Sequence, residues 1–340
     1  MPSADANTWS NHAQLQLPVI DISSFLDARG SSLSQPDPSS EQKRIAQQVH
    51  AACTHQGFFY VTGFESVASD KEMQDILSVT REFFARPVDE KKLVAIRPGD
   101  GARGWQQLGK NVTQGYDRPV DVEDPSKLLH GPNPWPAQPA QFRPKLETWI
   151  DKMSTLGKAL MRCTAMGLGI YLDSDEWQHL ESSVDKSFWV MRCIGYPPLP
   201  DNSGKGISCG AHRDYGCYTL LHQDDTQGAL QVFLRSEHGN AVEEGIRGTW
   251  INADRKQGCF VVNIGEMWKV WSNGLYEATL HRVIHRGSQY RISIPFFYEP
   301  NWDAVVEPLP SALKQTGGKP VQKSVVYGEF LSKKVSGNFL

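Results

Sequence analysis

Three short stretches of this chain hold side chains that could act together. In Gly210-Ala-His-Arg-Asp-Tyr-Gly216, His212 and Asp214 stand two residues apart. Read as the end of a strand, the stretch turns both side chains to one face, because side chains alternate along a strand. An imidazole beside a carboxylate can hold a hard or borderline divalent metal ion. A third donor must come from elsewhere, and Asn273-Gly-Leu-Tyr-Glu-Ala-Thr-Leu-His-Arg-Val283 offers His281. His285 shares its face by alternation. The two lie roughly 13 Å apart by the rise of a strand, so only one of them can reach the ion. Further on, Arg291-Ile-Ser293 is again an i, i+2 pair. A guanidinium gives two parallel donors to a carboxylate, which a lysine cannot match. Arg291 stands in the apolar run Tyr290 to Tyr298, where a buried guanidinium without an anion would be costly.

Two imidazoles and one carboxylate leave coordination positions open, the facial donor set of non-haem Fe(II) chemistry. An isolated H-x-D triplet arises often by chance, so the weight rests on the ordered set. His212-Arg-Asp214 also spells the catalytic-loop triplet of protein kinases. That loop requires an asparagine five residues after the aspartate, where Thr219 stands here. A zinc hydrolase could use the same donors. It would leave Arg291 and Ser293 without a task and lacks a clear general base.

The elements that must position these residues divide the chain. Val19–Ile22 reads as a short strand, Glu41–Thr54 as a helix closed by Gly57, and Phe58–Val61 as a second strand. Asp70 is the expected cap of a helix running to Ala85, and Pro144–Ile170 gives the longest helical spacing. Residues 95–140 show no periodicity, and irregular stretches of that length are commonly functional. From Phe188 onward short strands follow at close intervals: Tyr218–His222, Ala229–Phe233, Thr249–Asn252, Cys259–Ile264, Ala278–His285 and Tyr290–Tyr298. Helices followed by many short strands predict a mainly β fold with flanking α-helices, built on a double-stranded β-helix (jelly-roll) core. Without repeats or a clean linker, the 340 residues are expected to form one domain. Its parts would be a helix-rich region over about 1–185, the jelly roll over about 186–305, and a C-terminal segment over 306–340. Residues 235–248 form a charged, glycine-containing insertion that reads as a surface loop or a lid.

The ordered set resembles the isopenicillin N synthase-like branch of the Fe(II)/2-oxoglutarate-dependent dioxygenases. Pro18-Val-Ile-Asp-Ile22, Gly57-Phe-Phe-Tyr-Val61, Tyr196-Pro-Pro198, Leu230-Gln-Val232, Val262-Asn-Ile-Gly265, Trp271-Ser-Asn-Gly274 and Pro295-Phe-Phe297 fall in the family's order. The resemblance selects His281, through the family's N-G-x-Y…H-R-V pattern, as the ligand that joins His212 and Asp214 on Fe(II). It assigns Arg291 and Ser293, with Tyr196, to the distal carboxylate of 2-oxoglutarate. The implied reaction, with dioxygen, couples decarboxylation of 2-oxoglutarate to succinate with oxidation of a substrate C–H bond. Hydroxylation, desaturation or ring formation are its variants. The substrate would be a small organic metabolite, in a setting of specialised metabolism. A same-fold Fe(II) oxidase that does not use 2-oxoglutarate, an ethylene-forming fragmentation of 2-oxoglutarate, and a binding protein on the same fold are the alternatives.

Within the family, His130-Gly-Pro-Asn-Pro-Trp-Pro136, Met191-Arg192, Asp214-Tyr215-Gly216, Gln223-Asp-Asp225 and Glu299-Pro-Asn301 are similar to the ethylene-forming enzyme and thymine hydroxylase subgroup. That similarity implies a substrate pocket shaped by Arg192, Tyr215 and Thr113. The irregular stretch adds Tyr116, Arg103 and Trp105, because it lies over the metal in that family. Where the ethylene-forming type has Glu-Val-Thr toward an arginine substrate, this chain has Asn111-Val-Thr113, without the acid.

The totals set outer limits. Hydrophobic residues at 39% and charged residues at 21% describe a globular chain, and a net charge of -3 gives no basic face for nucleic acid. No apolar run approaches ~18 residues, so no membrane span is expected. The polar N-terminus carries no secretory signal, and Asn338-Phe-Leu340 is no peroxisomal address. Six scattered cysteines, with no C-x-x-C pair, fit reduced thiols in a cytoplasmic protein. A monomer or weak homo-oligomer is expected.

Overall fold

The computed structural model describes residues 16–26, 38–97, 103–107, 129–198 and 207–336. Strand β1 (Val19–Asp21) leads to helix α1 (Ser40–His55), strand β2 (Phe58–Thr62) and helix α2 (Asp70–Ala85). Both helices open with a reciprocal capping box. Ser39 accepts from the Gln42 amide while the Gln42 side chain accepts from the Ser39 N–H, and Ser69 and Glu72 repeat the arrangement. The cap of α2 is therefore Ser69 and not Asp70. Ser69 has the extended backbone that lets a short oxygen reach the third amide, while Asp70 lies in the first turn, where its charge suits the helix dipole.

Helix α3 (Val88–Lys92) is short, α4 (Phe142–Gly167) runs for 26 residues, and α5 (Asp175–Ser182) follows. The β-rich half then holds β3 (Val190–Met191), β4 (Ile194–Tyr196), β5 (Ile207–His212), β6 (Tyr218–Gln223), β7 (Leu230–Arg235), β8 (Ala241–Glu243), β9 (Ile246–Asn252) and β10 (Phe260–Ile264). Helix α6 (Glu266–Trp271) precedes β11 (His281–Ile284) and β12 (Arg291–Tyr298). The described chain closes with β13 (Val305–Val306), α7 (Pro310–Gln315), β14 (Val325–Val326) and α8 (Tyr327–Ser336).

The strands form two larger sheets. One runs β1-β2-β10-β6-β12-β3, with β4 also paired to β12; the other runs β5-β11-β7-β9-β8. Together they make the expected jelly roll. β1 and β2 come from the N-terminal part, yet β2 pairs directly with β10. Residues 235–248 are neither a free loop nor a lid. They build the edge hairpin of the second sheet, turning through Glu244 (φ 50°) and Gly245 (φ 78°). Two successive left-handed residues match the right-handed twist of the flanking strands.

Strand β12 shows how one core serves two purposes. Ile292, Ile294, Phe296 and Tyr298 are fully buried on the face toward the helices, in one cluster with Met153, Leu156 and Leu160 of α4. The other face carries Arg291, Ser293, Pro295 and Phe297 into the space between the sheets. Contact with α4 is close: a Cβ on Gly157 would meet the Tyr298 ring at 2.5 Å. Among the described residues, no helix is long and apolar enough to cross a membrane.

Candidate active site

His212 ends β5 and His281 opens β11, and the two are direct cross-strand partners. Asp214 stands just past the end of β5. One potential ligand atom from each of the three lies within 4.8 Å of the others, and Oδ1 of Asp214 is 3.7 Å from Nε2 of each imidazole. The ring orientations come from the backbone. Nδ1–H of His212 donates to the Gly210 carbonyl (2.8 Å), and Nδ1–H of His281 to the Thr279 carbonyl (3.0 Å). A carbonyl only accepts, so each Nδ1 carries a hydrogen and each Nε2 is turned to the space between them. Phe58 of β2 packs edge-on against the His281 ring, with centroids 5.1 Å apart. Oδ2 of Asp214 is taken by Thr219 Oγ1 and by Asn263 Nδ2 (2.7 Å), which leaves Oδ1 facing the imidazoles.

The cluster holds its charges as a metal site should. Burial opposes ionisation of Asp214, but His281, His212 and the donors from Thr219 and Asn263 outweigh it and lower its pKa. Burial, with His212 alongside, pushes His281 down to about 4. At His212 burial is opposed and outweighed by Cys209 and Asp214, which raise it to about 9. Two Nε2 atoms turned toward one anionic oxygen, each group steadied from behind, fit a divalent cation that prefers mixed nitrogen and oxygen ligands, which would displace the proton that the raised value leaves on His212.

The chamber that holds the triad is also lined by Arg291, which is 1% exposed. Its Nη2 donates to Gln223 Oε1 (2.9 Å), and Gln223 is itself anchored to the Ala253 carbonyl (2.8 Å). The guanidinium lies over the Tyr196 ring, 4.7 Å from its centroid, because Arg291 and Tyr196 are cross-strand partners. Among the described residues, Nε and Nη1 have no acceptor. Two open donors on a buried cation, with the Ser293 side chain on the same face, fit a carboxylate from a ligand.

The chamber encloses about 890 Å³ between the sheets, counting its open mouth. Its described walls include Arg192 and Tyr215 but neither Arg103 nor Trp105. Arg103 is fully buried and donates to the Leu129 carbonyl, while Trp105 pairs with Ala95 and lies under Lys91. Thr113 and Tyr116 lie outside the described residues. His285 is separated from the metal cluster: its Nε2 faces the Gln289 carbonyl (3.0 Å), and its ring lies beside Tyr196. Arg213 turns outward to the Ala278 carbonyl and Glu244. His222 faces the helical layer, where Nε2–H donates to the Met73 carbonyl (2.8 Å).

Among the chamber residues outside the expected site residues are Glu299, Tyr327 and Leu331. Glu299 had a signal. Residues 291, 293, 295, 297 and 299 continue one alternating face, and all five line the chamber. Tyr327 and Leu331 had half a signal, since with Val335 they keep the spacing of a helix stripe, and all three are buried in α8.

Comparison with known proteins gives the same picture. The pattern of the 2OG-Fe(II) oxygenase superfamily matches residues 186–300, and that of the non-haem dioxygenase in morphine synthesis N-terminal family matches residues 17–138. A homoarginine-6-hydroxylase of Arabidopsis thaliana is 39% identical over 95% of this chain and 97% of its own length. One from Glycine max is 38% identical, with 95% and 97% covered. The crystal structure of a full-length Neurospora crassa protein in complex with alpha-KG superposes with a TM-score of 0.77 at 23% identity, covering 96% of this chain and 98% of that one. This likeness in fold, together with relatives aligned over nearly the whole length, means that the chain belongs to the 2OG-Fe(II) oxygenase superfamily and is an oxidoreductase that uses Fe(II), 2-oxoglutarate and dioxygen.

Proposed function

We propose that this oxygenase hydroxylates a basic amino acid of the homoarginine type. His212, Asp214 and His281 would hold the iron, and Arg291, Ser293 and Tyr196 the distal carboxylate of 2-oxoglutarate. The observation that carries the co-substrate roles is Arg291, buried in the same chamber as the triad with Nε and Nη1 open. The substrate class is supported by relatives named homoarginine-6-hydroxylases, 36–39% identical over 95% of this chain. Arg192 supports it from within. It lines the chamber, and no carboxylate among the described residues lies within ion-pair distance of it, so it suits the carboxylate of an amino acid.

Bound Fe(II), with 2-oxoglutarate and dioxygen, supplies the oxidising power that turns a C–H bond into an alcohol while 2-oxoglutarate becomes succinate and carbon dioxide. The chain's own residues supply position. The Gly210 and Thr279 carbonyls fix the two imidazoles, and Thr219 and Asn263 fix Asp214. Gln223 and Tyr196 set the plane of the Arg291 guanidinium before any ligand arrives. Leu221, Leu230 and Val283 line the chamber with apolar surface that keeps water from the reacting groups. We take the whole chain as one catalytic unit, since strands from both halves share one sheet. The six free cysteines favour a reducing, cytoplasmic setting.

The test begins without oxygen. Fe(II) followed by 2-oxoglutarate should give a weak visible charge-transfer band. The band should vanish in His281→Ala, and the 2-oxoglutarate affinity should drop about 10- to 100-fold in Arg291→Ala. With oxygen, L-homoarginine should drive succinate release and gain one oxygen atom by mass. Iron binding without the band would point instead to an oxidase that does not use 2-oxoglutarate.

A further inference from the structure

Gln223 ends β6 and is 2% exposed, behind Arg291 and outside the chamber lining. Its amide can stand only one way round. Nε2 donates to the Ala253 carbonyl (2.8 Å), which cannot donate in return, so Oε1 is the atom that faces Arg291 and accepts from Nη2 (2.9 Å). The guanidinium is thus anchored by a group without charge, and among the described residues no carboxylate forms an ion pair with it. A carboxylate is nevertheless next in the chain. Gln223 is the register partner of Ser293, on the chamber side of the sheet, while Asp224, just past the strand, turns to the helical layer. There Oδ2 accepts from Arg81 Nη2 of α2 (2.8 Å) and from the Ile292 N–H (2.7 Å). Oδ1 accepts from the Thr226 hydroxyl (2.7 Å) and N–H (3.2 Å). Both oxygens are occupied, and neither pairs with Arg291.

We propose that Gln223 is a positioning residue of the co-substrate site, whose amide fixes the Arg291 guanidinium without cancelling its charge and so reserves that charge for the distal carboxylate of a 2-oxo dicarboxylate. This rests on the assignment of Arg291 given above. A glutamate has the same shape and is the stronger acceptor, so a need for an anchor alone would favour it over glutamine. Here it is excluded twice. Its second oxygen would face the Ala253 carbonyl, acceptor against acceptor, and its charge would neutralise the guanidinium that has to attract the ligand. The order Gln-Asp along the chain separates two tasks. The acid ties α2 to β12, and the amide sets the guanidinium. The same reserve makes the site choose a dicarboxylate over a 2-oxo acid that ends in a methyl group, because only the dicarboxylate satisfies the open Nε and Nη1.

The test titrates the Fe(II)-loaded protein without oxygen and reads the charge-transfer band. The probes are 2-oxoglutarate and 2-oxovalerate, in which a methyl group replaces the distal carboxylate. Gln223→Met keeps the volume and removes the anchor, and it should weaken 2-oxoglutarate about 5-fold. Gln223→Glu keeps an acceptor and adds a charge, and it should weaken 2-oxoglutarate about 100-fold, close to the effect of Arg291→Ala. The affinity for 2-oxovalerate should stay at the wild-type level in both, which also reports an intact fold and metal site. A loss in Gln223→Glu no greater than in Gln223→Met, or equal losses for the two ligands, would reduce Gln223 to a structural tie and overturn the proposal. If Gln223→Glu does not fold, Gln223→Met decides. A loss confined to 2-oxoglutarate keeps the positioning role, and no loss, or one shared by both ligands, removes it. If Arg291→Ala itself binds 2-oxoglutarate as wild type does, the assignment of Arg291 falls and the role of Gln223 falls with it. If Arg291→Ala loses affinity while Gln223→Glu keeps it, only the role of Gln223 falls.

Discussion

At the scale of single residues, much of the site is built from atoms that will not touch a ligand. Asp214 offers one oxygen to the cluster because Thr219 and Asn263 occupy the other. Removing such a support costs metal proteins about 10- to 100-fold in metal affinity, since the ligand regains rotational freedom and loses its orientation. Thr219→Val and Asn263→Ala should each weaken Fe(II) binding by about that factor, measured by anaerobic titration, while the fold is kept. Unchanged affinity in both would mean that the β-strand end alone orients Asp214. The electrostatics of Asp214 point the same way: it stays ionised through His281, His212, Thr219 and Asn263 and in spite of its burial.

At the scale of elements, the site depends on how α4 seats β12. Gly157 faces the Tyr298 ring, and Tyr298 ends the strand whose other face carries Arg291, Ser293 and Pro295. In an exposed helix, glycine to alanine stabilises by about 1 kcal/mol, because it removes backbone entropy from the unfolded chain. Here the sign should reverse. A methyl group 2.5 Å from the ring must push helix from strand, and overpacking of that kind costs about 1–3 kcal/mol. Denaturant unfolding of Gly157→Ala should therefore show a loss, and a gain would mean that Tyr298 can turn aside freely. Helix α8 is the other element that reaches the chamber. Tyr327 and Leu331 enter it, and Lys334 ties the helix to Glu266 (2.7 Å) while lying 5.2 Å over the Tyr215 ring.

For the whole molecule, the seam between the helical layer and the larger sheet holds an acid-sensitive group. His222 is 1% exposed and donates through Nε2 to the Met73 carbonyl, and among the described residues Nδ1 has no partner. Burial pushes it down to about 4, with Arg255 adding to the effect and the Met73 hydrogen bond, Asp224 and Asp225 opposing. A folded value below the ordinary 6.5 means that the unfolded chain takes up the proton first. Its neutral form thus adds stability that is fully present above about pH 6.5 and is lost as pH falls toward about 4, on the order of 3 kcal/mol in all. His222→Gln, which keeps a donor for Met73, should flatten that acid limb of the melting temperature against pH. An unaltered limb would place the acid sensitivity in other groups.

The residue types that carry the chemistry were legible because their spacing is local. His212 with Asp214, and Arg291 with Ser293, are i, i+2 pairs; alternation puts Arg291 and Ser293 on one face of β12, and Asp214, just past the end of β5, keeps to the side of His212. The helices could be read in the same way, since α1, α2 and α4 keep apolar positions at helical spacing. The choice between His281 and His285 was different. It depends on the register that sets His281 opposite His212, and local sequence carries no register between strands so far apart. The same holds for the hydrogen bond that brings Tyr327 to Glu299, for the retreat of Arg103 and Trp105 from the described chamber wall, and for the pairing of β2 with β10, far apart along the chain. Local periodicity determined which side chains point together. Only tertiary structure decided which faces meet, because that follows from sheet register and helix docking, in which every long-range contact takes part.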